Sequence, residues 1–266
     1  MVAHDGTRRR LSLAAERPLT LYVDRQEVVT LMTLGQEPEL LALGYLLNQG
    51  LVREAAEVAS ITVDWEVGAA AVRTVHGVSG LAEWLARRTV TTGCGQGTVF
   101  GDWLERVARL PAPGGDGHRV PHAALVDLLD RMRGLPSVHR EAGSVHGTAL
   151  CSAPHGDGPP GMLVHIEDVG RHNAVDTVAG WMAMQRVDGA ACWLYTTGRL
   201  TSEMVLKAAH LRIPVVVSRN GATAMGQQLA EQMHLTLIGR ANGQRYLCYA
   251  GAERLAGVSE AAPVAP

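Results

Sequence analysis

Apolar and polar positions along the chain fall into two periods. In residues 19 to 31, LTLYVDRQEVVTL, two apolar runs flank the polar turn Asp24 to Glu27, a pattern that predicts two short strands. Leu40, Leu43 and Leu47 recur at helical spacing and predict a helix over 38–50. Residues 61 to 75 alternate like an edge strand, and 79 to 88 read as a short helix ending in Arg87-Arg88. PAPGGDGH, 111 to 118, is dense enough in proline and glycine to break any regular element, and it divides a front half from a back half. Beyond it, Leu125, Leu128, Leu129 and Met132 share one face of a predicted helix over 122–133. Strands are then predicted at 146–152, 162–167, 191–196, 214–218, 234–238 and 245–249, and helices at 173–185, 202–211 and 223–233. SAPHGDGPPG, 152 to 161, joins the first two of these strands as a hairpin. The later strand–helix alternation predicts a three-layer α/β domain with a partly parallel sheet and helices packed on it.

Composition narrows the function classes. The chain has 266 residues and is 47% hydrophobic, enough for a substantial core in one large or two small domains. Its formal net charge of -2 argues against a protein that coats nucleic acid, so any anion binding belongs to a local pocket. No signal-peptide pattern or membrane-length apolar run is read from the sequence, and the expected place is the cytoplasm. Cys94, Cys151, Cys192 and Cys248 are widely spaced without a C-x-x-C pair, which suggests free thiols rather than a zinc knuckle or disulfide framework.

The densest chemistry lies in EDVGRHNAVDTVAG, residues 167 to 180, where acids, Arg171, His172 and Asn173 surround Gly170 at a helix start. Ala174, Val178 and Trp181 would share the helix's buried face, while its first turn offers free N–H groups and a positive dipole end to an anion. A capped helix with solvated charges is the competing reading. Thr91-Thr92-Gly93-Cys94-Gly95-Gln96-Gly97 places a thiol among glycines, where backbone N–H groups favour the nucleophilic thiolate. Cys151, Cys192 and Cys248 fall in or beside predicted strands and read as small buried hydrophobes. His165-Ile166-Glu167 matches the H-x-E half of a zinc deaminase signature, but the P-C-x-x-C half is missing, so no metal is expected. His146 in GSVHGTAL has small neighbours that leave room for a ligand, although a lone strand histidine is usually structural. Gly198-Arg199, before the capping hydroxyls of Thr201 and Ser202, lies where a strand passes into a helix and open sheets collect ligands. The turn Arg240-Ala241-Asn242-Gly243-Gln244-Arg245 is read equally well as a solvated hairpin or a binding turn.

Together these blocks, with LGQEPELLALGYLLNQGLV (34 to 52), TTGRLTSEMVLKAAHLRIPVVVS (196 to 218) and LTLIGRANGQRYLCY (235 to 249), resemble the FdhD family of formate dehydrogenase accessory proteins, sulfur carriers for molybdenum cofactor. The resemblance implies a cytidine deaminase-like three-layer fold without the zinc site, its mixed sheet covered by helices on both faces, plus a smaller N-terminal subdomain. It divides the chain into a disordered N-terminus (1–15), a part carrying the cysteine loop (16–110), a linker (111–121), the deaminase-like domain (122–252) and a disordered tail (253–266). It implies a homodimer that accepts persulfide sulfur from a cysteine desulfurase on the loop cysteine, here Cys94, and passes it to bis(molybdopterin guanine dinucleotide) molybdenum cofactor for formate dehydrogenase. The family's cofactor-binding segment falls on Arg240, Ala241, Asn242, Gly243, Gln244 and Arg245. Arg171, His172, Arg199 and His146 are the further candidate contacts, and Arg171, Arg199 and Arg245 are expected to converge at one sheet edge. Many members carry C-x-x-C in the loop, whereas this chain has Gly97 at the second position, so no resolving thiol is expected there. The alternative is a cofactor-binding chaperone that does not move sulfur.

Overall fold

The computed structural model describes residues 1–87, 89–90, 97–98, 113, 118–156 and 158–257. The front module opens on β1 (Arg17–Val23) and β2 (Gln26–Thr33), an antiparallel hairpin whose turn residues Asp24 and Arg25 both have positive φ. The Asp24 carboxylate accepts from the Thr74 backbone N–H at 2.9 Å and its hydroxyl at 2.6 Å, which ties this turn to the end of the neighbouring strand, Ala69–Thr74. After α1 (Pro38–Gln49) come β3 (Val58–Asp64) and β4 (Ala69–Thr74), then α2 (Leu81–Arg87). The strand order is β2-β1-β4-β3. The single alternating run expected over 61–75 is therefore two antiparallel strands. β4 pairs in parallel with β1 as well, so it is a central strand and β3 forms the edge.

The back module begins with α3 (His122–Gly134) and α4 (Val138–Ala142) and continues through β5 (His146–Ser152), β6 (Gly161–Asp168) and α5 (Arg171–Gln185). It then alternates β7 (Cys192–Thr196), α6 (Ser202–His210), β8 (Val215–Ser218), α7 (Ala224–Gln232), β9 (Thr236–Asn242) and β10 (Arg245–Ala250). Six strands pair in the order β10-β9-β8-β7-β5-β6. β7, β8 and β9 are mutually parallel; β5 is antiparallel to both β6 and β7, so β6 runs with them. Successive right-handed crossovers from β6 to β9 put α5, α6 and α7 on one face. There Leu150, Ile166, Leu194, Val216 and Leu237 pack against Val175, Val178, Met204, Val205 and Leu229. On the other face Ala149, Cys151, Trp193, Tyr195, Val217 and Ile238 pack against Leu125, Leu128, Leu129 and Met132 of α3. The three layers expected from the sequence are present. Within the segment expected to be a linker, Val120–Pro121 pairs in parallel with Leu255–Ala256, a separate two-stranded ladder just before α3. Among the described residues no helix is long and apolar enough to cross a membrane.

The two modules meet helix on helix. α1 crosses α5 at two glycines, where a Cβ on Gly44 would stand 1.6 Å from the Asp176 carbonyl oxygen and one on Gly180 would stand 2.0 Å from the Leu40 carbonyl oxygen. Only glycine permits that backbone approach. Beside the crossing, the Asp176 Oδ1 on α5 accepts from Asn48 Nδ2 of α1 at 2.7 Å and from Lys207 Nζ of α6 at 2.6 Å. Lys207 and Asp176 are 2% and 0% exposed, so one wholly buried polar cluster fastens three helices.

Candidate functional site

Because β6, β7, β8 and β9 run the same way, their ends at Asp168, Thr196, Ser218 and Asn242 lie along one edge of the sheet, with the starts of α5, α6 and α7 beside them. Open α/β sheets bind ligands at this edge. His146 opens the antiparallel β5 opposite Asp168 and so joins the same edge. Every candidate residue taken from the sequence falls here except Cys94, which lies outside the described residues. The edge is long, however. Arg171 and Arg199 flank the end of β7, whereas Arg245 opens β10, three strand spacings or about 14 Å farther on.

The polar segment after β6 is mostly committed to holding the fold. The Glu167 carboxylate accepts the Val138 N–H at 2.7 Å and the His139 N–H at 2.9 Å, capping the start of α4. The group that a deaminase would use as a proton shuttle is thus a helix cap, and no group of three or more His, Cys, Asp or Glu among the described residues is placed to hold a metal. Asp168, 2% exposed, gathers donors from both modules: the Thr33 hydroxyl, the Leu34 N–H at 3.0 Å, the Gly170 N–H at 2.8 Å and Asn173 Nδ2 at 2.8 Å. Asn173 Nδ2 also donates to the Met32 carbonyl at 2.7 Å. This clamp fixes the end of β2 to the start of α5. α5 begins at Arg171, two residues earlier than expected, since Gly170 has no side chain to announce a cap.

Arg171 is the exception within this segment. It is 9% exposed, its Nε has no hydrogen-bond partner, and it makes no ion pair with a described residue. Its stem lies across Gly198, where a Cβ would meet Arg171 Cβ and Cδ at 3.0 Å. His172 is 1% exposed, with Nε2 lying 3.1 Å from Glu203 Oε2 on α6. Burial, then the charges of Lys207 and Arg171, push the His172 pKa well below the usual histidine range, so its imidazole is neutral. His146 is shifted down as well, by burial first and then by Arg171, His139 and Arg199, with Asp168 opposing. Its Nδ1 stands 3.5 Å from the Thr197 hydroxyl. Arg199 itself is exposed.

On the α3 face of the same edge lies a cleft of about 170 Å³ lined by Arg133, His139, Arg140, Gly147, His165, Tyr195, Thr197 and Arg219, among others. A smaller hollow of about 40 Å³, lined by Ala241, Asn242 and Gly243 of the β9–β10 turn, shares Arg133, Tyr195 and Arg219 with it. The expected binding turn therefore opens onto a basic cleft with an aromatic wall. Burial pushes the Tyr195 phenol up to about 12, with Arg219 pulling the other way, so it faces a ligand as a neutral hydrogen-bond donor. Arg133, Arg140, Tyr195 and Arg219 were not singled out from the sequence. Arg219, first after the apolar strand 215–218, was the one with a local signal, since that is a strand end at a switch position.

The three described cysteines are poor nucleophiles. Burial pushes the Cys151 thiol up to about 12 and Cys192 up to about 11, and it raises Cys248 too. Thiolate character, which sulfur chemistry needs, is suppressed at all three.

This fold and sequence have known counterparts. The model of the FdhD/NarQ family matches residues 14–256. A protein of Bacillus licheniformis named sulfur carrier protein FdhD is 28% identical over 243 residues, 91% of this chain and 89% of its own length. Its namesake in Bacillus subtilis is 26% identical over 243 residues, 91% of this chain and 90% of its own length. The crystal structure of a candidate formate dehydrogenase accessory protein from Desulfotalea psychrophila superimposes with a TM-score of 0.73 at 26% identity, covering 96% of each chain. With its sequence matched from end to end of both modules, this chain belongs to the FdhD/NarQ family.

Proposed function

We propose that this protein is a sulfur carrier: Cys94 accepts sulfur from a persulfide on a cysteine desulfurase and delivers it to bis(molybdopterin guanine dinucleotide) molybdenum cofactor destined for formate dehydrogenase. The observation that carries the reading is the match, across about nine-tenths of the chain, to proteins named sulfur carrier protein FdhD. In the loading step the Cys94 thiolate attacks the outer sulfur of the donor persulfide. The donor S–S bond breaks, its electron pair leaves on the donor cysteine as thiolate, and Cys94 becomes the persulfide with no net oxidation. The suppressed thiolate character of Cys151, Cys192 and Cys248 favours Cys94 by contrast. One thiol suffices for this exchange. Gly97, which stands where C-x-x-C members have their second cysteine, pairs with Val90 in a two-residue ladder.

The cofactor is a polyanion with two guanine nucleotides, and the contacts we assign to it are the Arg240–Arg245 turn and the cleft beside it. Arg133, Arg219 and Arg245 would meet phosphate, and Tyr195 offers a hydroxyl and an aromatic wall to the base. Arg171, His172, Arg199 and His146 complete the assigned set on the other side of the edge, with His172 acting from within the fold through Glu203.

Gly97 also motivates a second reading, in which the protein holds the cofactor for the dehydrogenase without carrying sulfur. Activation of an apo-formate dehydrogenase by Cys94→Ala separates the two. A carrier falls to the level seen with no protein added, whereas a holder of cofactor keeps most of its effect.

A further inference from the structure

We propose that the adjacent N-termini of α5 and α6 form a subsite for a small tetrahedral oxyanion, anchored by Arg171 and separate from the cleft on the α3 face. The inference deepens the proposed function, on which it rests for the identity of the natural ligand. Neither helix is capped by a side chain, at Gly170 for α5 or Thr201 for α6. By contrast, Ser137 and Thr223 cap the helices that follow them. The two open ends adjoin, since His172 reaches Glu203 and the Arg171 stem crosses Gly198 toward the loop that starts α6.

Independent of the helix ends, polar atoms buried at this junction have no partner: Arg171 Nε, His172 Nδ1 and the Thr201 hydroxyl. Arg171 and His172 are 9% and 1% exposed. An unmet buried donor is costly, and a guanidinium without a counter-charge more so, which gives an anion a large gain on arrival. The acids nearby are already engaged. Asp168 is taken up by donors from both modules, and Glu203 lies against His172. A guanidinium fork and two sets of free helix N–H groups suit a phosphoryl-like group. A planar carboxylate would use the fork and leave one helix end unmet.

The ligand meant is a separate oxyanion, such as the metal-oxo head of the cofactor; a phosphate of the bound nucleotide is the competing source of the same chemistry. Inorganic phosphate, molybdate and GDP are the probes, titrated calorimetrically into wild type, Arg171→Gln, Thr201→Val and Arg245→Gln. With the cleft saturated by GDP, the expected result is one phosphate or molybdate per chain, bound about ten-fold or more weaker by Arg171→Gln and unchanged in Arg245→Gln. GDP does not displace it, and GDP affinity falls more in Arg245→Gln than in Arg171→Gln. Thr201→Val removes only one hydroxyl and is expected to weaken the oxyanion about three-fold, which carries the test if Arg171→Gln fails to fold.

The inference is overturned if wild type binds neither oxyanion, or if a folded Arg171→Gln or Thr201→Val binds both normally. Displacement of the oxyanion by GDP would also overturn it, by making the junction part of the nucleotide's own phosphate site. None of these outcomes depends on whether Cys94 loads sulfur, so the two proposals fail separately.

Discussion

Gly44→Ala is expected to cost the protein more stability than any substitution at the sheet edge. A methyl at this position would need the space of the Asp176 carbonyl oxygen, 1.6 Å away, with the Gly180 amide nitrogen only 2.7 Å away. Both obstacles are backbone, so no rotamer change relieves the clash and the two helices must separate. Separation loosens the α1 packing of the front module and stretches the Asn48–Asp176 hydrogen bond on the same face. The loss is expected to be roughly 4 kcal/mol or more, at the severe end for overpacking. That corresponds to a fall in Tm of roughly 10 °C or more for a chain of this size. Thermal unfolding followed by circular dichroism checks it, and a fall of about 2 °C or less would mean that the crossing is looser than the structure has it.

Lys207→Met is the second large effect. Lys207 Nζ is 2.6 Å from Asp176 Oδ1, and the pair is screened from water on all sides. Exposed pairs such as Arg133–Asp130 are worth little, about 0–1 kcal/mol, because water screens them and two long side chains must be held still. A buried pair behaves differently when one partner is removed. Asp176 would keep its carboxylate in the core with only Asn48 beside it, its Oδ2 already having no partner. A loss of about 3–5 kcal/mol is expected, measured by urea denaturation. Combining Lys207→Met with Asp176→Leu should recover much of that loss, since no uncompensated charge then remains buried. A double variant as unstable as the single one would show that hydrogen bonding to Asn48, rather than charge pairing, dominates the cluster.

The sequence was most legible where order is local. Helix period and strand alternation placed most elements of the back module to within about two residues, because each buries one face against a neighbour from the same stretch of chain. β9 runs to Asn242, four residues past its expected end, and the short α4 was not expected. Residues 61 to 75 misled because the turn at 65–68 carries Trp65 and Val67, which continue the alternation through a reversal. The polar cluster at 167–176 was visible, but its roles were not. Asp168 meets Thr33 and Leu34, and Asp176 meets Asn48, across more than a hundred residues, and nothing in the local spacing announces such partners. Lys207, within the helix predicted over 202–211, carries no local sign of its burial, because its partner Asp176 is on another helix. The 240–245 turn was legible as a candidate, while the basic cleft it opens onto needed Arg133 and Arg219 to be brought together by two other elements.

The central claim, that Cys94 carries sulfur, is tested most directly by intact mass. The purified protein is incubated with an active cysteine desulfurase and L-cysteine, with and without reductant, in wild-type and Cys94→Ala forms. A gain of one sulfur mass, about 32 Da, is expected in wild type alone, removed by reductant as a persulfide requires. An equal gain in Cys94→Ala would move the sulfur to another thiol. No gain in either, with the desulfurase loading a different acceptor in the same experiment, would contradict sulfur carriage and leave a protein that holds cofactor without moving sulfur.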